Sequence, residues 1–182
     1  FRPTSCGRAV DRMEIRIDSP APFNQVGEIL TKGMNVMDGY YNNPEASNAV
    51  LSPDGWLHTG DLGILDPDGY LYIKGRSKSL ILGPSGQNIY PEEIEDLLNA
   101  QPYIAESLVI EREGKLVALV YPDSEAMKQH KISRDTLLKI IHETRKQINQ
   151  QIPAYSQIAR IEIHDEEFEK TPKRSIKRFL YQ

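Results

Sequence analysis

The 182-residue chain contains a single cysteine, Cys6, so it forms no internal disulfide and offers no thiolate cluster for a metal. That usage fits a reducing compartment, and Cys6 itself reads as a small apolar filler. The four histidines, His58, His130, His142 and His164, are scattered without metal-ligand spacing, and no protein metal site is expected. Long hydrophobic runs are absent too. No stretch nears the roughly 20 apolar residues of a membrane-spanning helix, and the opening Phe1-Arg2-Pro3-Thr4-Ser5 is no signal peptide. A soluble, cytoplasmic protein is expected, and a first residue that is Phe rather than Met suggests a piece excised from a longer one. Excess charge of one sign is also missing: 22 basic against 26 acidic residues give a net charge of -4. Bulk charge thus argues against a nucleic-acid partner and leaves only peripheral membrane association open. No repeat, no low-complexity segment and no G-x-x-x-x-G-K-[ST] phosphate loop occurs.

What is present is ordinary globular material, with 39% hydrophobic and 26% charged residues. At about 150 residues per domain the length leaves one domain or two small ones open. Up to residue 74, alternating apolar segments at 13–17, 27–31 and 69–74 predict half-buried strands. Asn42-Asn43-Pro44-Glu45, Ser52-Pro53-Asp54-Gly55 and Asp66-Pro67-Asp68-Gly69 between them predict tight turns. The texture changes after Lys78. Leu80-Ile81-Leu82 and Asn88-Ile89-Tyr90 flank Gly83-Pro84-Ser85-Gly86 as a hairpin. Pro91 then starts a helix whose Glu92, Glu93 and Glu95 suit its positive end and whose Ile94, Leu97 and Leu98 share a face. Strands are predicted at 107–110 and 116–121 around Glu113-Gly114. A longer helix follows Ser133, with Leu137, Leu138, Ile141, Ile148 and Ile152 near one face until Pro153, and a strand at 159–164 ends the series. The expected fold is α+β: a β-rich unit over residues 1–77, then a small α+β domain over 78–182 of order β-β-α-β-β-α-β.

The densest cluster of unusual residues is Asp54-Gly55-Trp56-Leu57-His58-Thr59-Gly60-Asp61-Leu62-Gly63, read as a glycine-punctuated loop ending in a carboxylate. By itself it is a structural turn or a ligand loop. An ionised Asp can accept two hydrogen bonds, as a vicinal diol would offer. The blocks that follow are Asp68-Gly69-Tyr70-Leu71-Tyr72-Ile73-Lys74-Gly75-Arg76-Ser77-Lys78 and Gly86-Gln87-Asn88-Ile89-Tyr90-Pro91-Glu92-Glu93-Ile94-Glu95. Upstream stand Gly27-Glu28-Ile29, Gly33, Val36-Met37-Asp38-Gly39-Tyr40-Tyr41 and Pro44-Glu45. In this order they resemble the adenylate-forming superfamily of acyl-CoA synthetases, luciferases and peptide-synthetase adenylation domains, from about residue 7 to the end. The acyl-CoA synthetases, long-chain fatty acid CoA ligases among them, are the nearer likeness.

The resemblance implies the C-terminal portion of a ligase that converts ATP and a carboxylic acid, a fatty acid by preference, to acyl-adenylate, then passes the acyl group to CoA with release of AMP. Residues 1–77 would be the C-terminal β subdomain of a large nucleotide-binding domain, and 78–182 a mobile C-terminal domain. It implies that Thr59, Asp61 and Arg76 bind the nucleotide, Asp61 and Arg76 at the ribose, where a planar guanidinium fork suits the hydroxyls. Lys78 would be the hinge between an adenylating and a thioester-forming pose, and Ser85, Gly86 and Gln87 would approach the pantetheine arm of CoA. Magnesium would arrive with ATP, its carboxylate ligand lying outside this chain. Trp56 and Tyr72 read as packing residues, and His58 carries no assigned chemistry.

One departure stands at the C-terminus. The family's catalytic lysine, in a segment like Thr-Pro-x-Gly-Lys-Ile-x-Arg, falls on Ser175 of Lys170-Thr171-Pro172-Lys173-Arg174-Ser175-Ile176-Lys177-Arg178. In the same gapless match Lys177 falls on the second basic residue common in long-chain fatty acid ligases. Either the local register slips, so that Lys177 or Lys173 serves, or the protein adenylates slowly; a solvated basic tail is the bland alternative. Two other readings stay open: a carrier-protein ligase or luciferase-like member, and a non-catalytic binding or regulatory member. The chain alone is expected to turn over nothing.

Overall fold

The structure, a computed structural model, describes residues 2–182. The chain divides into two compact units, Phe1–Lys78 and Ser79–Gln182.

In the first unit four antiparallel strands follow one another in a meander: β1 (Met13–Asp18), β2 (Gly27–Gly33), β3 (Leu57–Leu65) and β4 (Leu71–Arg76). Ile17, Ile29 and Leu71 form the core of its inner face, with Ile15 and Leu65 against them. A bulge between Leu62 and Gly63 bends β3. A side chain at Gly63 would stand 2.8 Å from both the Ile29 side chain and the Tyr72 carbonyl oxygen, so only glycine fits this approach. One sequence expectation changes here and another is extended. Residues 57–65, read as the second half of a glycine loop, form a strand, because pairing with β2 on one side and β4 on the other overrides the glycines. Asn42-Asn43-Pro44-Glu45 combines the expected turn, which the Asn43 N–H closes on the Tyr40 carbonyl with Asn42 at positive φ, with the unforeseen start of helix α1 (Pro44–Val50). The Asn43 side chain accepts the Ala46 N–H, Pro44 fills the first turn and Glu45 faces its positive end.

The second unit opens with the short hairpin β5 (Ile81–Leu82) and β6 (Asn88–Ile89), then α2 (Pro91–Asn99), β7 (Ile104–Arg112), β8 (Lys115–Pro122), α3 (Ser124–Gln129), α4 (Arg134–Gln151) and β9 (Ile158–Ile163). β7 and β8 are antiparallel and β9 joins β8 in parallel, so β7 is an edge strand. Glu113 and Gly114 both take positive φ, the backbone that a two-residue hairpin turn demands. α4 is capped by the Ser133 side chain on the Thr136 N–H and stops at Gln151, ahead of Pro153. α3 went unforeseen; its signal is Asp123, whose carboxylate accepts from the N–H groups of Glu125 and Ala126.

The three-stranded sheet is buried on both faces. Ile94 and Leu98 of α2 and Leu137, Ile141 and Ile148 of α4 cover Val109, Leu116, Ala118 and Val120. On the other face Phe168, with Ile176 and Tyr181 beside it, covers Leu108, Ile110, Val117 and Leu119. This explains why 108–110 and 116–120 are unbroken apolar runs rather than alternating ones. It also limits the solvated-tail alternative: Phe168, Ile176 and Tyr181 anchor the C-terminal segment as the second cover of the sheet, while residues 172–175 remain exposed. Leu138, placed on the inner face of α4 by its period, is 50% exposed, and Cys6 is exposed rather than a core filler.

Candidate functional site

In the first unit, Asp61 on β3 and Arg76 on β4 are direct cross-strand partners, and the Asp61 carboxylate takes the Arg76 Nε at 2.9 Å. Glu28 of β2 holds the approach to Asp61 with both oxygens. One lies 2.9 Å from His58 Nδ1 and the other accepts the Gly60 N–H at 2.9 Å. Thr59 donates its hydroxyl to the Ile29 carbonyl at 2.7 Å and accepts the Asp61 N–H at 3.1 Å. Its oxygen is thereby committed to shaping the chain that presents Asp61. Gly60 has φ of +72°, a left-handed conformation in which glycine is unstrained.

Beside this lattice lies a cavity of about 560 Å³, lined by Glu28, His58, Thr59, Gly60, Arg76 and Lys78 among others. Asp61 does not line it but reaches it through Arg76. The structure therefore brings together Thr59, Asp61, Arg76 and Lys78, all within the first unit. The set offers a carboxylate acceptor and a guanidinium donor fork at the rim of a nucleoside-sized space, which fits a diol-bearing ligand. Trp56 is a packing residue, stacked under the Arg16 guanidinium at 4.6 Å, and Tyr72 is half-buried.

In the second unit, Ser85, Gly86 and Gln87 form the β5–β6 turn, closed by Gly86 N–H to the Gly83 carbonyl and Gly83 N–H to the Gln87 carbonyl. Ser85 and Gln87 line a separate cavity of about 500 Å³ whose walls include Leu82, Lys115 and Tyr155. Gln87 Oε1 is buried there without a protein partner, an acceptor available to a donor-bearing ligand.

Lys173 and Lys177 sit on a hairpin closed by bridging of Lys170 to Ile176. Lys173 is exposed at its tip, next to Arg174 in the left-handed conformation. Lys177 is tied to Glu169 twice, by its Nζ to the carboxylate at 3.1 Å and by its N–H to the carbonyl at 2.8 Å. Lys170 is paired with Glu106 and Glu167, and these bonds raise its pKa. Arg178 contacts the carboxylate of Glu95 and lies 3.5 Å from Glu92. Burial pushes the Glu95 carboxyl above its ordinary pKa, a rise that Arg178 and the Val109 N–H oppose. Glu28 was assigned no role from sequence, and Glu95 only a place at the positive end of α2; the structure corrects this, because only Glu92 and Glu93 lie in the first turn and Glu95 is buried. The available signal was a charged residue at the start of strand β2, just before Ile29 and Leu30, for Glu28, and on the apolar side of a helix for Glu95.

Among the described residues no group of three or more His, Cys, Asp or Glu could hold a metal ion, and no helix is long and apolar enough to cross a membrane.

Residues 78–181 match the family model described as the AMP-binding enzyme C-terminal domain. The indoleacetate–CoA ligase of Aromatoleum aromaticum is 45% identical over 124 residues, covering 64% of this chain and 24% of that protein. The 2-succinylbenzoate–CoA ligase of Bacillus anthracis is 42% identical over 110 residues, covering 58% and 22%. The chain thus spans about a quarter of the length of these relatives. Among solved structures, O-succinylbenzoate CoA synthetase from Bacillus subtilis in complex with AMP superposes over 100% of this chain and 36% of its own, with TM-score 0.76 and 29% identity. The same enzyme with ATP and magnesium superposes over 98% of this chain and 35% of its own, at TM-score 0.75 and 29% identity. The chain belongs to the AMP-binding enzyme family and carries that family's C-terminal domain at residues 78–181.

Proposed function

We propose that the chain is the C-terminal part of an AMP-forming acid–CoA ligase. The observation that carries the reading is the Asp61–Arg76 pair at the rim of the first unit's cavity, followed in sequence by an AMP-binding enzyme C-terminal domain. In the whole enzyme a carboxylate oxygen attacks the α-phosphorus of ATP and pyrophosphate leaves. The CoA thiolate then attacks the acyl carbon and AMP leaves. Asp61 accepts from the ribose hydroxyls while Arg76 donates to the same sugar, and Thr59 and Glu28 keep Asp61 in place. Magnesium, brought with ATP, offsets phosphate charge. Ser85, Gly86 and Gln87 line the approach of the CoA arm, and Lys78 is the hinge about which 78–182 changes pose.

For the cation that neutralises charge developing on the carboxylate and α-phosphate, the hairpin favours Lys173. It is exposed and has no ion-pair partner among the described residues, whereas Lys177 is held by Glu169. A fatty acid is the narrower form of the proposal and rests on the C-terminal segment alone. Relatives are named for indoleacetate, sulfoacetate and 2-succinylbenzoate, acids of quite different polarity. A cytoplasmic location, where ATP and CoA are both at hand, belongs to the same proposal.

The test is acid-dependent pyrophosphate release by the full-length protein over a panel of fatty, aryl and sulfonated acids, with Lys173→Ala and Lys177→Ala beside the parent. Lys173→Ala is expected to slow release at least tenfold. Equal rates in parent and both variants would remove the lysine assignment. No release with any acid would favour the non-catalytic member that Ser175 suggests.

A further inference from the structure

The outward N–H and C=O of Val109, on the edge strand β7, are not paired by the sheet. They are taken instead by two charged side chains. Glu95 Oε1 accepts the Val109 N–H at 2.6 Å, and Arg178 Nη1 donates to the Val109 carbonyl at 3.3 Å. Arg178 Nη2 meanwhile contacts Glu95 Oε2. Helix α2, strand β7 and the C-terminal segment are thereby joined at one backbone residue. Just upstream, the Lys177 N–H binds the Glu169 carbonyl and the Lys170–Ile176 bridge closes the hairpin that carries Lys173.

Apolar contacts already fasten this segment to the sheet: Phe168 is buried, stacked on His164 at 4.9 Å and edge-on to Tyr181 at 5.2 Å. The charged lock adds little that adhesion alone requires. It places the carboxylates of Glu95 and Glu92 against one guanidinium and leaves Glu92 Oε2 buried without a partner. Replacing such a buried charge group by apolar residues is commonly neutral or stabilising, and what charge supplies over grease is a single geometry. A planar guanidinium fork bound at Glu95 and Val109 fixes where residue 178 sits, and through the short backbone link, where the hairpin tip points.

We propose that Glu95, acting through Arg178, is a positioning residue for acyl-adenylate formation: it sets the hairpin that presents Lys173 and takes no part in the thioester step. This rests on the ligase reading above. Misplacing a reacting group by about 1 Å can cost on the order of 100-fold in rate, so the expected loss on releasing the lock is about tenfold or more.

The experiment uses the full-length protein and separates the half-reactions: pyrophosphate release with acid and ATP, and CoA-dependent thioester formation from supplied acyl-adenylate. Glu95→Gln keeps an acceptor for the Val109 N–H but loses the charge that holds Arg178. Its pyrophosphate release should fall about tenfold or more in kcat, with acid KM within about twofold of the parent and the thioester step unchanged. Arg178→Lys, which keeps the charge but not the fork, should lie between, and it serves the same purpose if Glu95→Gln does not fold. Pyrophosphate release within twofold of an active parent overturns the proposal. So does a parallel fall in both half-reactions together with the melting temperature, which would make the lock purely structural. A parent that releases no pyrophosphate with any acid overturns the ligase reading itself, a result distinct from either of these.

Discussion

Asp61 is the residue on which the nucleotide reading turns, and its charge is what matters. A hydrogen bond to an ionised group contributes roughly 1.5–3 kcal/mol, so Asp61→Asn in the full-length protein should weaken ATP binding by about tenfold to a hundredfold. Titration calorimetry reads this, and unchanged affinity would exclude Asp61 from the site. Glu95 gives a pH signature with a definite sign. Its carboxyl titrates above the unfolded value of 4.5, raised chiefly by burial and further by Glu92, against Arg178 and the Val109 N–H. The folded state therefore holds its proton more tightly, and this group's contribution to stability is largest below the unfolded pKa and is lost as pH rises through the folded one. In melting curves the advantage of the parent over Glu95→Gln should grow as pH is lowered from neutral toward the unfolded value of 4.5; a constant difference would contradict it. Asp61 and Arg76 stood out in the sequence as candidates because each lies in a block of neighbours that marks it, and the fold sets them side by side. Glu28 and Glu95 did not, since their partners Gly60 and Arg178 are 32 and 83 positions away, and only the folded chain makes those contacts visible.

Strands and helices were legible where a single local signal decided them, and obscured where two signals competed. The runs 108–110 and 116–120 and the Pro91 helix declared themselves by hydrophobicity and by the missing N–H. β3 did not, because Gly60 and Gly63 read as loop residues while the strand is imposed by its two neighbours. α1 was hidden for the opposite reason: Asn43-Pro44-Glu45 serves a turn and a helix start equally well, and no buried residue gives the helix an apolar face. Gly63 is then a requirement of the element rather than a loop marker. Gly63→Ala would drive its methyl into Ile29 and the Tyr72 carbonyl, an overpacking that should cost about 1–3 kcal/mol. Urea unfolding of the 182-residue chain measures it, and a loss under ~0.5 kcal/mol would show that β3 can relax at its bulge.

At the scale of the whole chain the burden of stability is unequal between the two units. Among the described residues four hydrophobic ones are buried in the first, Ile17, Ile29, Leu30 and Leu71, against seventeen in the second, where a sheet is covered on both faces. Since burial of apolar area contributes roughly 25 cal/mol per Å², the unit with the larger core should open less often. The first unit also leaves Val10, Phe23, Met34 and Tyr41 more than half exposed. Sparse burial and exposed apolar side chains mark the low-stability end of a fold, where local opening admits a protease. Limited digestion of the 182-residue chain should therefore remove residues before Ser79 first and leave a resistant fragment from about Ser79 to the C-terminus, identified by its mass. Loss of the C-terminal hairpin before the first unit, or uniform digestion, would show that Phe168 and the apolar contacts around it hold less than their burial indicates.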